Sequence, residues 1–218
     1  MEVTVHDGFD DRMRDHWWWR PGWSVGVRQF TWHVTFEDGA ALHRTAGTIA
    51  ASLARFPALD PVPLRWLHLT VDGVGFEHEV SRRQLDEIAE RVATGVNRVV
   101  WPPLRFTSLS VGAEGVSLGD NAGRLDGLAS VRSILSDASD QVLRGGVPAV
   151  GRADTFWPHV SLAYSHGGES QGAVADALRQ VDVGTHVEAG AARLTLMKLH
   201  RDLRCYEWEV IHQIPIGT

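Results

Sequence analysis

The sequence predicts an α+β fold, and three observations predict it. Apolar residues alternate over some short segments and recur at helical spacing over others. The order of segments is strand, helix, strand, helix, hairpin, then helix, strand, helix, hairpin, with helices and strands interspersed throughout. Two strand segments, Trp66-Leu67-His68-Leu69-Thr70-Val71 and Trp157-Pro158-His159-Val160-Ser161-Leu162, share one frame, so the chain carries a rough internal duplication.

Residues 1–28 place Trp17, Trp18, Trp19 and Trp23 among charges, Pro21 and Gly22. They read as an ordered, irregular N-terminal extension that caps the rest, and residues 29–218 read as a single domain of two lobes. Phe30 to Phe36 alternates as a strand, with Trp32 and Val34 on one face and His33 and Thr35 on the other. Residues 39–55 are helical by their Leu42, Ile49, Leu53 stripe. Arg65 to Val71 is a strand ending at Asp72-Gly73, a turn dipeptide. A helix over 81–93 is capped by Ser81. Leu104 to Val111 and Gly115 to Leu118 form a hairpin, and Leu125, Leu128, Val131 and Leu135 mark a helix over 125–143. Phe156 to Tyr164 is a strand, residues 170–181 a helix, and Arg193 to His200 with Cys205 to Ile214 a closing hairpin.

The formal charge of −6 gives no basic stripe for long nucleic acids, although a small anionic ligand in a locally positive pocket is compatible with it. The single cysteine, Cys205, fits a reducing compartment, and the acidic start is unlike a signal peptide, so a cytoplasmic location is expected. No run of apolar residues is long enough for a membrane span. A monomer is expected.

Alternation on a strand puts Trp66, His68 and Thr70 on one face, and Trp157, His159 and Ser161 on one face of the other segment. Four His-x-Thr/Ser triplets occur, at His33, His43, His68 and His159. That at His43 falls in helical sequence, where i and i+2 do not share a face. His33-Val34-Thr35 lies on a strand. It reads either as part of the same cleft or as a strand residue behind it. His68 and His159 stand apart because an aromatic precedes each, apolar residues alternate within, and a glycine turn follows.

WLHLTV and WPHVSLAY resemble the paired signatures of the 2H phosphoesterase superfamily, which includes the RNA 2′,3′-cyclic phosphodiesterases also called 2′-5′ RNA ligase-like proteins. The resemblance spans about residues 30–215 and leaves out the Trp-rich start. It implies a bilobal fold, two antiparallel sheets facing a central cleft with helices outside. It implies catalysis by His68, Thr70, His159 and Ser161, with His68 as acid and His159 as base. Ser161 stands where Thr is commoner, and Tyr164 stands where many relatives carry a basic residue.

The chemistry also follows from the residue types. Opening a cyclic phosphodiester needs a water made nucleophilic and a leaving oxygen made neutral, and two histidines flanking the phosphorus supply base and acid near working pH. Hydroxyls of Thr70 and Ser161 hold the non-bridging oxygens. No metal-ligand motif accompanies them, so neither a metal nor another cofactor is expected. The expected substrate is a nucleotide or RNA end carrying a 2′,3′-cyclic phosphate, hydrolysed to a 2′-phosphate. The rival readings are 2′-5′ RNA ligation and a non-catalytic nucleotide- or RNA-binding module. Candidate substrate contacts are His33, Trp66, Trp157, Tyr164 and Arg152. Each has a plainer role, as a cleft wall for the aromatics and a solvated charge for the arginine.

Overall fold

The structure is a computed structural model that describes residues 1–5, 11–38, 40–101, 103–121, 125–144 and 156–216. Among these residues the chain runs β1 (Glu2–Val5), β2 (Gln29–Phe36), α1 (Ala41–Leu53), β3 (Leu59–Pro61), β4 (His68–Phe76) and α2 (Arg82–Val96). It continues through β5 (Arg105–Phe106), β6 (Ser108–Gly112), β7 (Gly115–Gly119), α3 (Leu128–Leu143), β8 (Val160–Ser165), α4 (Gln171–Arg179), β9 (Val187–Glu188), β10 (Ala192–His200) and β11 (Glu207–Ile216).

The main sheet has nine strands in the order β1-β6-β7-β8-β4-β2-β10-β11, with β3 also on β8. Two antiparallel halves, one built on β10–β2–β4 and one on β6–β7–β8, are continuous through one pairing, Leu69 of β4 with Val160 of β8. The edge of β8 opposite β7 takes β4 at Val160 and then β3 from Ala163 to Ser165. β1 joins the far edge in parallel with β6, which makes the sheet mixed. A separate two-stranded piece pairs β5 with β9.

Alternation sorts each central strand into an apolar face and a cleft face. Trp32, Val34, Leu69, Leu194 and Leu196 are fully buried on the apolar side, together with Leu42, Ile49 and Leu53 of α1, Ile88 and Val92 of α2, and Val131 and Leu135 of α3. Burying an aliphatic side chain of this kind contributes about 1.5–3 kcal/mol. The expected cap of α2 is present: Ser81 Oγ accepts from the Gln84 amide, and the Gln84 side chain accepts from the Ser81 amide at 2.9 Å, a reciprocal capping box.

Several segments differ from the sequence reading. Arg65 to Val71 is not one strand: Leu64–Trp66 is a single 3-10 turn, the strand begins at His68, and it runs through Gly73 and Gly75 to Phe76. Two bulges explain the passage through the glycines, with register shifts against β2 between Trp32 and His33 and between Phe30 and Thr31. A bulge tolerates glycine in a strand interior, where a turn was expected. Asp72 accordingly sits in no turn; it is buried in β4, 3.4 Å from Arg132 Nε. The strand expected from Phe156 starts only at Val160, and the one expected from Leu104 is divided between β5 and β6.

The N-terminal segment follows the surface of the second half. The Met13 amide donates to the Glu169 carbonyl at 2.7 Å, that of Arg14 to Ala113 at 2.6 Å and that of His16 to Ser165 at 2.8 Å. Met13 and Trp17 are buried.

Candidate active site

The seam between the two halves brings the histidine segments together. β4 enters it at His68 and β8 at Val160, one residue after His159. One cleft of ≈ 680 Å³ is lined by His68, Thr70, His159 and Ser161, within the size range of small-ligand sites.

Both imidazoles are held in the same way. His68 Nδ1 lies 2.8 Å from the Trp66 carbonyl oxygen, and His159 Nδ1 lies 2.8 Å from the Trp157 carbonyl oxygen. A carbonyl only accepts, so Nδ1 of each ring carries the proton and donates. Nε2 of each neutral ring therefore keeps its lone pair. The repeated bond from Nδ1 to the carbonyl two residues back is the structural content of the Trp-x-His frame.

Burial holds both histidines below the ordinary imidazole range. His68 is lowered to about 4, chiefly by burial, with repulsion from a charged His159 adding and the bond to Trp66 opposing. His159 is lowered by burial, opposed by its bond to Trp157. Both rings are therefore neutral at pH 7.

The structure distributes the remaining candidates unevenly. Trp66 lies in the 3-10 turn ahead of β4, outside the strand that carries His68. Its ring meets Trp208 edge-on at 4.6 Å, and it is not among the cleft-lining residues. Trp157 does line the cleft, half exposed, with its ring stacked on His159 at 4.6 Å and 27°. His33 lines it too, buried, with its ring stacked on His68 at 4.6 Å and 17°. Arg152 lies outside the described residues.

Tyr164 lines the cleft for a reason that strict alternation misses. Ser117 pairs with Ser161 and Gly115 with Tyr164, while a register shift between Val116 and Ser117 leaves Leu162 unpaired. That bulge returns Tyr164 to the face of Ser161. Burial pushes its hydroxyl well above the ordinary phenol range, opposed by a hydrogen bond with Ser161.

Other cleft residues carried no motif. His16 stacks on Tyr164 at 4.2 Å and links Glu114 at Nδ1 (3.2 Å) to the Tyr206 hydroxyl at Nε2 (3.0 Å). Arg201, buried, donates to the His16 and Trp18 carbonyls at 3.0 and 3.3 Å and so ties the N-terminal segment to the end of β10. Arg20 reaches Glu114 at 3.2 Å. Trp208, which does not line the cleft, packs edge-on against His68 at 5.4 Å. The alternation of Tyr206 and Trp208 was the only sequence signal for these; His16 was hidden among the tryptophans. Among the described residues no three His, Cys, Asp or Glu side chains gather as a metal site, and no helix is long and apolar enough to cross a membrane.

The fold and the paired histidines define an α+β architecture of two related halves around one cleft. No family model matches the chain, and no curated protein matches it. Solved structures do. A phosphoesterase matches with a TM-score of 0.52 at 17% identity, over 88% of this chain and 99% of that one. E. coli LigT complexed with 3′-AMP matches with a TM-score of 0.54 at 16% identity, over 88% and 99%. The protein TT0787 of Thermus thermophilus matches with a TM-score of 0.56 at 15% identity, over 86% and 97%. The likeness is one of fold, and it agrees with the resemblance carried by the two motifs.

Proposed function

We propose that this protein is a metal-independent cyclic phosphodiesterase that opens 2′,3′-cyclic phosphates of nucleotides or RNA ends to 2′-phosphates. The observation that carries the reading is the matched pair: two imidazoles in one cleft, each pinned at Nδ1 by a carbonyl two residues back. Such a pair has one proton-accepting nitrogen on each ring, and together they can run one transfer in and one transfer out.

In this reading His159 Nε2 takes a proton from water as the water oxygen bonds to phosphorus. The bond from phosphorus to the ribose 3′-oxygen breaks, and that oxygen takes a proton from His68 Nε2. Thr70 and Ser161 hydroxyls hold the non-bridging oxygens as charge builds on them. His68 must first gain a proton, and the negative phosphate raises its pKa on binding. The pair then titrates as a unit. The reverse assignment has one observation in its favour: His68 is the more deeply buried ring and is lowered to about 4, so the first proton goes more readily to His159.

Hydrolysis is favoured over ligation by the charge of the cleft. Among its described residues the arginines are Arg20, paired with Glu114, and Arg201, committed to two backbone carbonyls. That suits one small anionic group better than two RNA ends. The LigT structure with 3′-AMP is consistent with a nucleotide ligand for this fold.

The test is a panel of cyclic mononucleotides, oligonucleotides with cyclic ends and cyclic dinucleotides, with products identified by phosphorus NMR. The reading expects 2′-phosphate from the first two groups. No turnover of any member, with binding retained, would favour the non-catalytic module.

A further inference from the structure

His33 lines the cleft beside the catalytic pair, yet it has no role in the mechanism above, and its surroundings are hard to explain by packing alone. It is 3% exposed, its ring lies flat against His68 at 4.6 Å, and it is the direct cross-strand partner of Thr70. Its Nδ1 is buried without a hydrogen-bond partner. A phenylalanine would fill this position and stack on His68 without an orphaned nitrogen. A buried polar atom left unpaired is destabilising, so the imidazole needs a reason.

The tautomer supplies one. Burial, with repulsion from a charged His68 added, keeps the His33 ring neutral. A neutral ring has one N–H, and an unpaired buried acceptor is tolerated better than an unpaired buried donor. The proton therefore belongs on Nε2, and the bare lone pair on buried Nδ1. This is the opposite tautomer to that of His68 and His159, whose Nδ1 atoms donate to carbonyls.

We infer that His33 is a third catalytic residue, whose Nε2–H donates to a non-bridging oxygen of the substrate phosphate beside the Thr70 hydroxyl. This rests on the phosphodiesterase reading and adds to it a neutral donor that the two-histidine mechanism lacks. A neutral donor also leaves His68 free to be the charged ring, because two stacked imidazoliums would repel. Hydrogen bonds to a phosphate oxygen are charge-assisted, and removing one costs roughly 10- to 100-fold.

The experiment compares His33→Phe, which keeps the ring stack, with His33→Gln, which restores a side-chain N–H donor. Expected for His33→Phe are an unchanged or raised melting temperature, a fall in kcat/KM of about 10- to 100-fold and a similar weakening of inorganic phosphate binding; His33→Gln should recover part of the last two. Nitrogen NMR of the wild-type imidazoles should show His33 protonated at Nε2, with that signal shifting as inorganic phosphate is added. Wild-type kcat/KM and phosphate affinity in His33→Phe, with His68→Ala and His159→Ala inactive, would overturn the inference and leave the phosphodiesterase reading standing. Wild-type turnover in those two alanine variants would remove the reading itself. Should His33→Phe not fold, the NMR decides: a proton on Nδ1, or no response to phosphate, overturns the inference.

Discussion

Lowering the pH from 8 to 5 should destabilise this protein through His68 in particular. Its ordinary imidazole value of 6.5 falls to about 4 in the folded chain, mainly by burial. A folded pKa below the unfolded one means that the unfolded state binds the proton more readily. The associated stability is present above about pH 6.5 and is lost as pH falls toward 4. For these two values the loss is about 2 kcal/mol at pH 5 and about 3 kcal/mol at pH 4. The assay is urea unfolding at pH 8 and pH 5 of the wild type and of His68→Gln, which has no titrating ring. The wild type should lose about 2 kcal/mol more than the variant over this interval, with the denaturant slope unchanged. The other histidines largely cancel in the difference. Inorganic phosphate at pH 5 should narrow it, because an anion in the cleft favours the protonated ring. Equal losses in the two proteins would refute the claim that His68 is buried as a neutral ring.

Three further outcomes are expected. At Gly115 an added Cβ would run into the Ala163 carbonyl of β8, so Gly115→Ala should cost about 1–3 kcal/mol in urea unfolding and, by displacing β8, lower kcat as well; a neutral effect on both would contradict the close approach of β7 to β8. Thr70→Ala and Ser161→Ala should each reduce kcat less than either histidine change, since each removes one of several contacts to the phosphate; a hydroxyl variant as inactive as His159→Ala would mean that the hydroxyl has another role. Activity should survive dialysis against EDTA, and loss with rescue by zinc or manganese would point to a metallohydrolase.

The α+β class and the order of the main strands and helices could be read from the sequence because periodicity and capping are local. The α2 cap at Ser81 is one such case. The matched frames around His68 and His159 were also legible, since a shared spacing constrains both segments together. Bulges were not legible. The strand through Asp72-Gly73 looked like a turn because the dipeptide carries turn chemistry, and only pairing with β2 overrides it. Trp66 was placed on the strand for the opposite reason: alternation was extended back past the strand's start at His68 into a 3-10 turn. Tyr164 reaches the cleft through a bulge that strict alternation excludes. His16 and Arg20 of the N-terminal segment meet Glu114, far away in sequence, only through tertiary hydrogen bonds, for which the sequence holds no periodic signal. β1 and β3 were missed because each is short and its pairing is entirely non-local.

The most direct test of the central claim is single-turnover cleavage of a nucleoside 2′,3′-cyclic phosphate by His68→Ala and His159→Ala, each repeated on an ester with an activated leaving group. A positioned acid or base is worth about 10²–10⁴-fold, and both variants should lose that much on the cyclic nucleotide. On the activated ester, whose leaving group needs no proton, the variant lacking the acid should recover and the variant lacking the base should not. With the roles assigned above, His68→Ala is the one that recovers. Recovery of His159→Ala alone would exchange the two roles. Near wild-type cleavage of the cyclic nucleotide by both variants would contradict the account.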